Sequence, residues 1–290
     1  MLWAEKKDGA RKAPLQNIMA IENCVLCRGT GWKMVPREDG AGLAAVACDC
    51  GMVERASRVV ERARIPKRYT DCDFESYVTD LTDGKNYTSQ QTASLKQVKM
   101  VTQAFVRDYP GGDQAGLLLM GNSGVGKTHL AVAALKEFLK RGHTGYFCEY
   151  GALLREIQNS YRSESEMSEI KLLSPVLSVE VLVIDDLGCI KPSDWVRDTI
   201  GYILNTRYVE ASRDLSNPRC TIITTNYLDN TDEKETLSSG SRGSTIRKDR
   251  LEERIGARMR SRLYEMCRMV EVSAPDFRRE VRQSGRAGAR

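Results

Sequence analysis

The chain has 290 residues, of which 29% are charged and 41% hydrophobic, and it carries a formal net charge of +5 at pH 7. This composition is typical of a globular protein with one large domain and a smaller module, and the mild positive charge permits a polyanionic partner without requiring one. No apolar run is long enough to span a membrane and the N-terminus lacks an apolar signal core, so we expect a cytoplasmic protein with no membrane contact.

Four of the nine cysteines form two close pairs, Cys24-x-x-Cys27 and Cys48-x-Cys50. Glycines follow both pairs, and tight turns there let backbone N–H groups bond the thiolates. The two histidines are far away in sequence, so a metal here would have four sulfur ligands, a set typical of structural Zn²⁺. Unliganded or redox-active cysteines are the alternative, because C-x-C is a less common zinc spacing.

The next segments connect this module to the rest of the chain. Residues 53–64 are rich in Arg and Glu with a modest apolar stripe, which predicts a linking helix that ends before Pro66. Residues 66–77 mix basic and aromatic side chains. A loop is predicted over 80–91, a helix over 92–107, and a break at 110–113, where Pro and Gly are concentrated.

The stretch GNSGVGKT matches the phosphate-binding pattern G-x-x-x-x-G-K-[ST]. Its residues are Gly121, Asn122, Ser123, Gly124, Val125, Gly126, Lys127 and Thr128. An apolar strand precedes it at 117–120, and a helix follows that is expected to end at Gly142. A strand, a glycine loop and a helix N-terminus aim backbone N–H groups at one point. We expect Lys127 to bind the β- and γ-phosphates of a nucleoside triphosphate and the Thr128 hydroxyl to hold Mg²⁺.

Downstream, strand and helix patterns alternate, which predicts a parallel sheet covered by helices on both faces. Further strands are predicted at 145–149, 181–184, 220–225 and 269–272. Helices are predicted over 152–161, around 196–204 and over 249–267.

Polar side chains follow two of these strands. Asp185 and Asp186 come directly after 181–184, where Asp185 is expected to hold Mg²⁺ and Asp186 to orient or deprotonate the attacking water. Asn226 follows 220–225 and is expected to position that water against the γ-phosphate without adding charge. A helix cap for the acids and a turn for the amide are the alternatives.

Arginines recur at 250, 254, 258 and 262 within the predicted helix over 249–267. Residues four apart share a helix face, and such a run usually marks a solvated face. The alternative is an arginine finger formed by Arg258 and Arg262, which would reach the nucleotide of a neighbouring subunit.

In combination these motifs resemble the AAA+ ATPases of the bacterial helicase-loader group, which is DnaC/DnaI-like and has the transposition helper IstB as a relative. The segments that carry the resemblance are the phosphate loop, VLVIDDLG at 181–188, TTN at 224–226, SRL at 261–263, CVLCRGTGW at 24–32, CDCG at 48–51, IPKRY at 65–69 and FESY at 74–77. The order and number of these segments make the match far more specific than any one of them.

The resemblance implies an α/β AAA+ P-loop core with a five-stranded parallel sheet in the order 5-1-4-3-2, preceded by a small four-cysteine zinc-binding module. It makes Asn226 the sensor-1 residue, Arg262 the finger with Arg258 as its helper, and Arg278 the sensor-2 residue that contacts nucleotide in cis. It also implies DNA-facing positions, which are here Tyr161, Ser193 and Trp195. Aromatic side chains suit single strands because any base can stack on them, although Trp195 has buried core packing as its alternative.

The implied function is ATP-dependent loading of a DnaB-type replicative helicase onto single-stranded DNA by a self-assembling, slow ATPase that uses ATP, Mg²⁺ and Zn²⁺. The implied domains are a partner-contacting zinc module (1–64), a linker and leading helix (65–114), the ATPase domain (115–280) and a disordered tail (281–290). The alternatives are an IstB-like helper of transposition, against which the cysteines count, and a nucleotide-gated adaptor with little turnover.

Overall fold

The computed structural model describes residues 24–37, 42–50, 59–80, 87–112, 114–161, 169–211, 213, 219–229 and 249–282. The chain divides into two compact units, residues 1–59 and 60–290. Of the predicted linking helix over 53–64, residues 59–62 are helical, and 53–58 lie outside the described residues. The predicted disordered tail also lies outside them from residue 283 onward. Within the described part of the chain, no helix combines the length and apolar character needed to cross a membrane.

The first unit contains a two-stranded antiparallel hairpin, in which β1 (Trp32–Pro36) pairs with β2 (Leu43–Ala47). The backbone N–H of Cys48 donates to the carbonyl of Gly31 at 2.8 Å, which closes the open end of the hairpin. The two cysteine pairs therefore lie at the same end of the hairpin, whose two strands were not predicted from the sequence.

The second unit is built on a parallel sheet of five strands. These are β3 (Gly116–Gly121), β4 (Gly145–Glu149), β5 (Val181–Asp185), β6 (Cys220–Thr225) and β7 (Cys267–Val272). The strand order is β4-β5-β6-β3-β7, and every pair of neighbours is parallel. This is the predicted order 5-1-4-3-2 once the five strands are numbered along the chain, so the predicted sheet is confirmed.

Helices cover both faces of the sheet. They are α1 (Ser89–Asp108), α2 (Lys127–Lys140), α3 (Tyr150–Ser160), α4 (Glu169–Ser178), α5 (Asp194–Ala211), α6 (Leu251–Ile255) and α7 (Ala257–Met266). Alternate strand residues point to opposite faces. Leu117 and Leu119 of β3 pack with α1 and α2, whereas Leu118 packs with α3, α5 and α7. The two hydrophobic clusters confirm a sheet buried on both sides.

Helix α1 begins at Ser89, three residues before the predicted start. The N–H of Gln91 donates to the Thr88 hydroxyl at 3.2 Å, and the N–H of Thr88 donates to the Gln91 side chain at 2.9 Å. This reciprocal capping box satisfies two of the backbone donors that a helix N-terminus leaves unpaired. The prediction of a loop through residue 91 is therefore wrong, because polar residues there act as a helix cap.

The predicted single helix over 249–267 is also wrong, because Gly256 breaks it with a φ of 85° and a ψ of 149°. Glycine adopts this left-handed backbone at little cost. The break separates Arg254 from the face that carries Arg258. The Arg254 guanidinium instead donates to the carbonyl of Gly188 at 2.8 Å and to the Tyr227 hydroxyl at 2.7 Å, so it does not belong to a solvated arginine face.

Candidate functional site

Two other segments of the chain pack against the phosphate-binding loop. They come so close to its backbone that only glycine fits at the points of contact. Gly126 has a φ of 91°, and a Cβ there would lie 2.5 Å from the Tyr77 ring. A Cβ at Gly124, which has a φ of 80°, would overlap the Asp276 carboxylate. The Tyr77 hydroxyl donates to the carbonyl of Val125 at 3.0 Å. These contacts fix the curvature of the loop at the N-terminus of α2, where backbone N–H groups favour anions.

Lys127 is only 7% exposed and lies along the inside of this loop. Its ammonium donates to the carbonyls of Gly121 at 2.9 Å and Asn122 at 2.7 Å, and to the side-chain oxygen of Asn226 at 2.8 Å. Burial lowers the pKa of Lys127 to about 8, although the carboxylates of Asp186 and Asp185 oppose this shift. The ammonium thus sits in a poorly hydrated position where an anionic ligand would stabilise its charge.

The two groups predicted to hold Mg²⁺ are in contact. The Thr128 hydroxyl donates to the Asp185 carboxylate at 2.8 Å, and the Thr224 hydroxyl donates to the same oxygen at 2.7 Å. Asp185 is almost fully buried, and this burial raises the pKa of its carboxyl. Oxygen ligands of this kind suit Mg²⁺, and a cation would offset the cost of burying the carboxylate. Thr224 was not predicted to take part.

Asp186 and Asn226 also lie side by side, as predicted for strands that end at one edge of the sheet. The Asn226 amide donates to the Asp186 carboxylate at 2.7 Å while its oxygen accepts from Lys127. Asp186 has a φ of 60°, a conformation uncommon for a residue with a side chain. Its N–H donates to the Thr224 hydroxyl at 2.9 Å, which supports this backbone geometry. Burial raises the pKa of the Asp186 carboxyl.

These groups border a cavity of about 650 Å³, a volume typical of small-ligand sites. Arg278 lines the same cavity, as expected for a residue that contacts nucleotide in cis. The cavity is also lined by Arg68, Tyr69, Tyr77 and Glu149, none of which was predicted to lie there. The mixture of basic and aromatic residues over 66–77 is the sequence signal that could have found the first three.

Arg258 and Arg262 lie on α7 and are not among the residues that line this cavity. The Arg262 guanidinium lies 6.0 Å from the centre of the Tyr208 ring, and the Tyr208 hydroxyl donates to Glu265 at 2.7 Å. This geometry therefore does not place Arg258 or Arg262 against the nucleotide site of the same chain. Their assignment as a finger for a neighbouring subunit stays a prediction.

The three predicted DNA-facing residues occupy different environments. Tyr161 follows the last residue of α3 and is 56% exposed. The Ser193 hydroxyl accepts the N–H of Val196 at 3.3 Å and thereby caps the start of α5. Trp195 is partly buried against the hydrophobic cluster on that side of the sheet. Only Tyr161 presents an aromatic ring mainly to solvent, and none of the three DNA contacts is tested by the fold.

The four paired cysteines form a compact cluster in the first unit. The sulfurs of Cys24 and Cys48 are 3.8 Å apart, those of Cys27 and Cys50 are 3.3 Å apart, and all four lie within 4.8 Å of one another. Four thiolates around tetrahedral Zn²⁺, with Zn–S bonds of about 2.3 Å, are separated by about 3.8 Å. Backbone N–H groups of Cys27 and Leu26 lower the pKa of the Cys24 thiol to about 6, which favours the thiolate. The cluster therefore fits a structural zinc ion.

The fold and the site together define a P-loop nucleotide-binding protein of the α/β class. The model of the family described as IstB-like ATP binding protein matches residues 51–228, and the chain belongs to this family.

Individual relatives agree with this assignment. The replicative helicase loader DnaC of Escherichia coli K12 is 26% identical over 171 residues, which cover 59% of this chain and 64% of that protein. The replicative helicase loader DnaI of Bacillus subtilis 168 is 30% identical over 105 residues, covering 36% of this chain and 33% of that protein. A crystal structure of the DnaC helicase loader matches with a TM-score of 0.53 and 31% identity, over 72% of this chain and 100% of that chain. Neither of the two sequence relatives is matched over its full length.

Proposed function

We propose that this protein is an ATP-dependent loader that binds a replicative hexameric helicase and delivers it to single-stranded DNA. The observation that carries the proposal is the convergence of Lys127, Asp185, Asp186 and Asn226 in one cavity. This site lies in a chain that is 31% identical to a DnaC helicase loader across the whole of that solved chain. The combination supports a nucleotide-driven role in helicase deposition more strongly than the fold alone would.

Within this proposal each residue of the site has a chemical task. Lys127 and Arg278 bind phosphate oxygens, and Thr128 and Asp185 would hold Mg²⁺, which would neutralise phosphate charge. Asp186 accepts the proton of the attacking water, and the Asn226 amide keeps that carboxylate in place through their 2.7 Å hydrogen bond. All the residues that this proposal assigns to nucleotide binding belong to one chain. A slow hydrolysis that accelerates on assembly follows if Arg262 of a neighbouring copy supplies the missing positive charge.

The four-cysteine unit is proposed to hold Zn²⁺ and to contact the helicase. Trp32 and Met34 are two residues apart on β1 and share one face of the hairpin, to which Leu43 of β2 also belongs. All three side chains are exposed. An apolar surface on so small a unit favours protein contact. The exposed ring of Tyr161 is proposed to stack on a base of the single strand, a contact worth about 1–3 kcal/mol.

Co-purification with the host's replicative helicase, with ATP present and absent, tests the proposed function. We expect capture that depends on ATP and a complex that transfers helicase to single-stranded DNA. Turnover should rise when single-stranded DNA is added, and absence of any turnover would favour the nucleotide-gated adaptor. Preference for duplex over single-stranded DNA, without helicase capture, would instead favour a transposition helper.

Replacing Arg262 by alanine is expected to lower turnover by roughly 10³-fold, the effect typical of an arginine finger, while ATP affinity changes little. A mixture of Arg262→Ala and Asp186→Asn proteins should recover part of the activity, because some interfaces then combine an intact site with an intact finger. Turnover of each protein alone and of the mixture is the measurement. The exposed Arg268→Ala variant serves as control. If the mixture remains as inactive as its components, Arg262 does not act between subunits.

A further inference from the structure

A short turn that precedes the phosphate-binding loop in the sequence lies beside the nucleotide site. Hydrogen bonds to the residues before it and after it fix its position. The turn is a 3₁₀ segment, Lys67–Tyr69. Before it, the carbonyl of Ala63 accepts the N–H of Phe147 in edge strand β4 at 2.7 Å. After it, the Lys136 ammonium on α2 donates to the carbonyl of Thr70 at 2.8 Å. Because β4 and α2 both belong to the walls of the nucleotide site, the turn has a defined position relative to that site.

Arg68 and Tyr69 of this turn line the same cavity as Lys127, Thr128 and Asp185. The Arg68 guanidinium lies 4.6 Å from the centre of the Tyr69 ring, within the range of a cation–π contact. The Tyr69 ring in turn lies 6.0 Å from the ring of Phe147. The guanidinium is therefore supported on an aromatic platform that is itself packed on the sheet.

Arg68 shares this cavity with Thr128 and Asp185, the two groups proposed to hold Mg²⁺. Among the described residues, no carboxylate lies within ion-pair distance of the guanidinium. Arg68 is thus a cation of the cavity lining that forms no ion pair with a carboxylate among the described residues. In P-loop enzymes the residues that hold the metal lie beside the site of the β- and γ-phosphates.

We propose that Arg68, supported by Tyr69, binds the γ-phosphate in cis and makes the protein distinguish ATP from ADP. This inference rests on the proposed nucleotide site and adds a cation that lies before the phosphate-binding loop in the chain. An arginine fork binds phosphate oxygens bidentately, which Lys127 cannot do.

Nucleotide titrations of Arg68→Ala, Arg68→Lys and Lys67→Ala test the proposal. Arg68→Ala is expected to weaken binding of a non-hydrolysable ATP analogue by roughly tenfold or more, the typical effect of losing a hydrogen bond to a charged group, and to change ADP binding less than twofold. Arg68→Lys should restore part of the preference for ATP, because it keeps the charge without the fork. Lys67 is the matched control, since it is exposed in the same turn and does not line the cavity.

Two results would overturn the inference. If Arg68→Ala binds the ATP analogue within twofold of the wild-type affinity, Arg68 does not contact the phosphates. If Arg68→Ala loses affinity equally for the ATP analogue and for ADP, Arg68 does not bind the γ-phosphate specifically. Lys127→Ala separates these results from failure of the nucleotide site itself, because an unchanged Lys127→Ala protein would place nucleotide elsewhere altogether. Thermal unfolding without nucleotide, which we expect to match wild type for the exposed Arg68, verifies that each variant is folded.

Discussion

The Lys127→Ala protein is expected to bind ATP at least about 100-fold more weakly than wild type, because the variant loses two or more charge-assisted hydrogen bonds of about 1.5–3 kcal/mol each. Lys127 is the buried cation of the cavity. Its ammonium donates hydrogen bonds to the carbonyls of Gly121 and Asn122 and to the side-chain oxygen of Asn226. Loss of the side chain also leaves the Asn226 oxygen without that donor. Turnover should therefore fall together with affinity.

Ligand-induced stabilisation gives a measurement of this prediction that does not depend on turnover. At an ATP concentration 100 times the wild-type Kd, ATP adds about 2.7 kcal/mol to the stability of wild type, whereas a site weakened 100-fold gains only about 0.4 kcal/mol. Thermal unfolding with and without ATP reports this difference. Lys140→Ala is the control, because Lys140 lies at the far end of the same helix and its side chain is 63% exposed. Equal ATP stabilisation of wild type and Lys127→Ala would contradict the prediction.

Much of the site followed from sequence because parallel strands deliver their carboxyl ends to one edge of a sheet. The phosphate loop follows β3, and Asp185 ends β5 while Asn226 follows β6. Once those strands were placed, proximity of the polar groups after them was a geometric consequence. The hydrogen bonds that join Thr128 to Asp185 and Asn226 to Asp186 agree with that expectation.

Other features depend on tertiary contacts that no local pattern contains. Gly256 lies in a sequence with strong helical periodicity, yet it breaks the helix so that Arg254 can reach Gly188 and Tyr227. Arg207 lies on α5 and is fully buried although its side chain is charged. Its guanidinium donates to the Thr221 hydroxyl and to backbone carbonyls, including that of Cys220. Burial of a charge is tolerated when every donor finds an acceptor, which requires knowledge of the packed structure.

The roles that require a second molecule rest on the family resemblance, because they involve contacts outside a single chain. Arg262 stacks near Tyr208 and Ser193 caps α5, so each has a structural partner within the chain. A fold of one copy does not assign a residue to a neighbouring subunit or to DNA. Thr224 and Arg68 illustrate the opposite case, since both lie in the cavity and belong to quoted segments, TTN and IPKRY, that gave neither residue a role.

Replacing Cys27 by serine is expected to remove zinc from the protein and to unfold the first unit. Among the described residues of that unit, the only buried hydrophobic side chains are Cys27 and Cys48. A unit without an apolar core needs a covalent or metal link to remain folded, and zinc-finger peptides obtain about 10–16 kcal/mol from the metal at pH 7. Loss of one of four ligands should cost more than the roughly 10- to 100-fold in affinity that second-shell changes cost.

The second unit should survive this loss, because its two hydrophobic clusters do not include any residue of the cysteine cluster. Cys27→Ser is therefore expected to bind ATP as wild type does while it loses the proposed capture of helicase. Metal analysis, limited proteolysis of residues 24–50 and ATP titration measure the three consequences separately. Cys189→Ser, a change at a cysteine outside the cluster, is the control and should retain zinc. Protease resistance of the first unit in metal-free wild-type protein would contradict the zinc assignment, because the hairpin would then be stable without the metal.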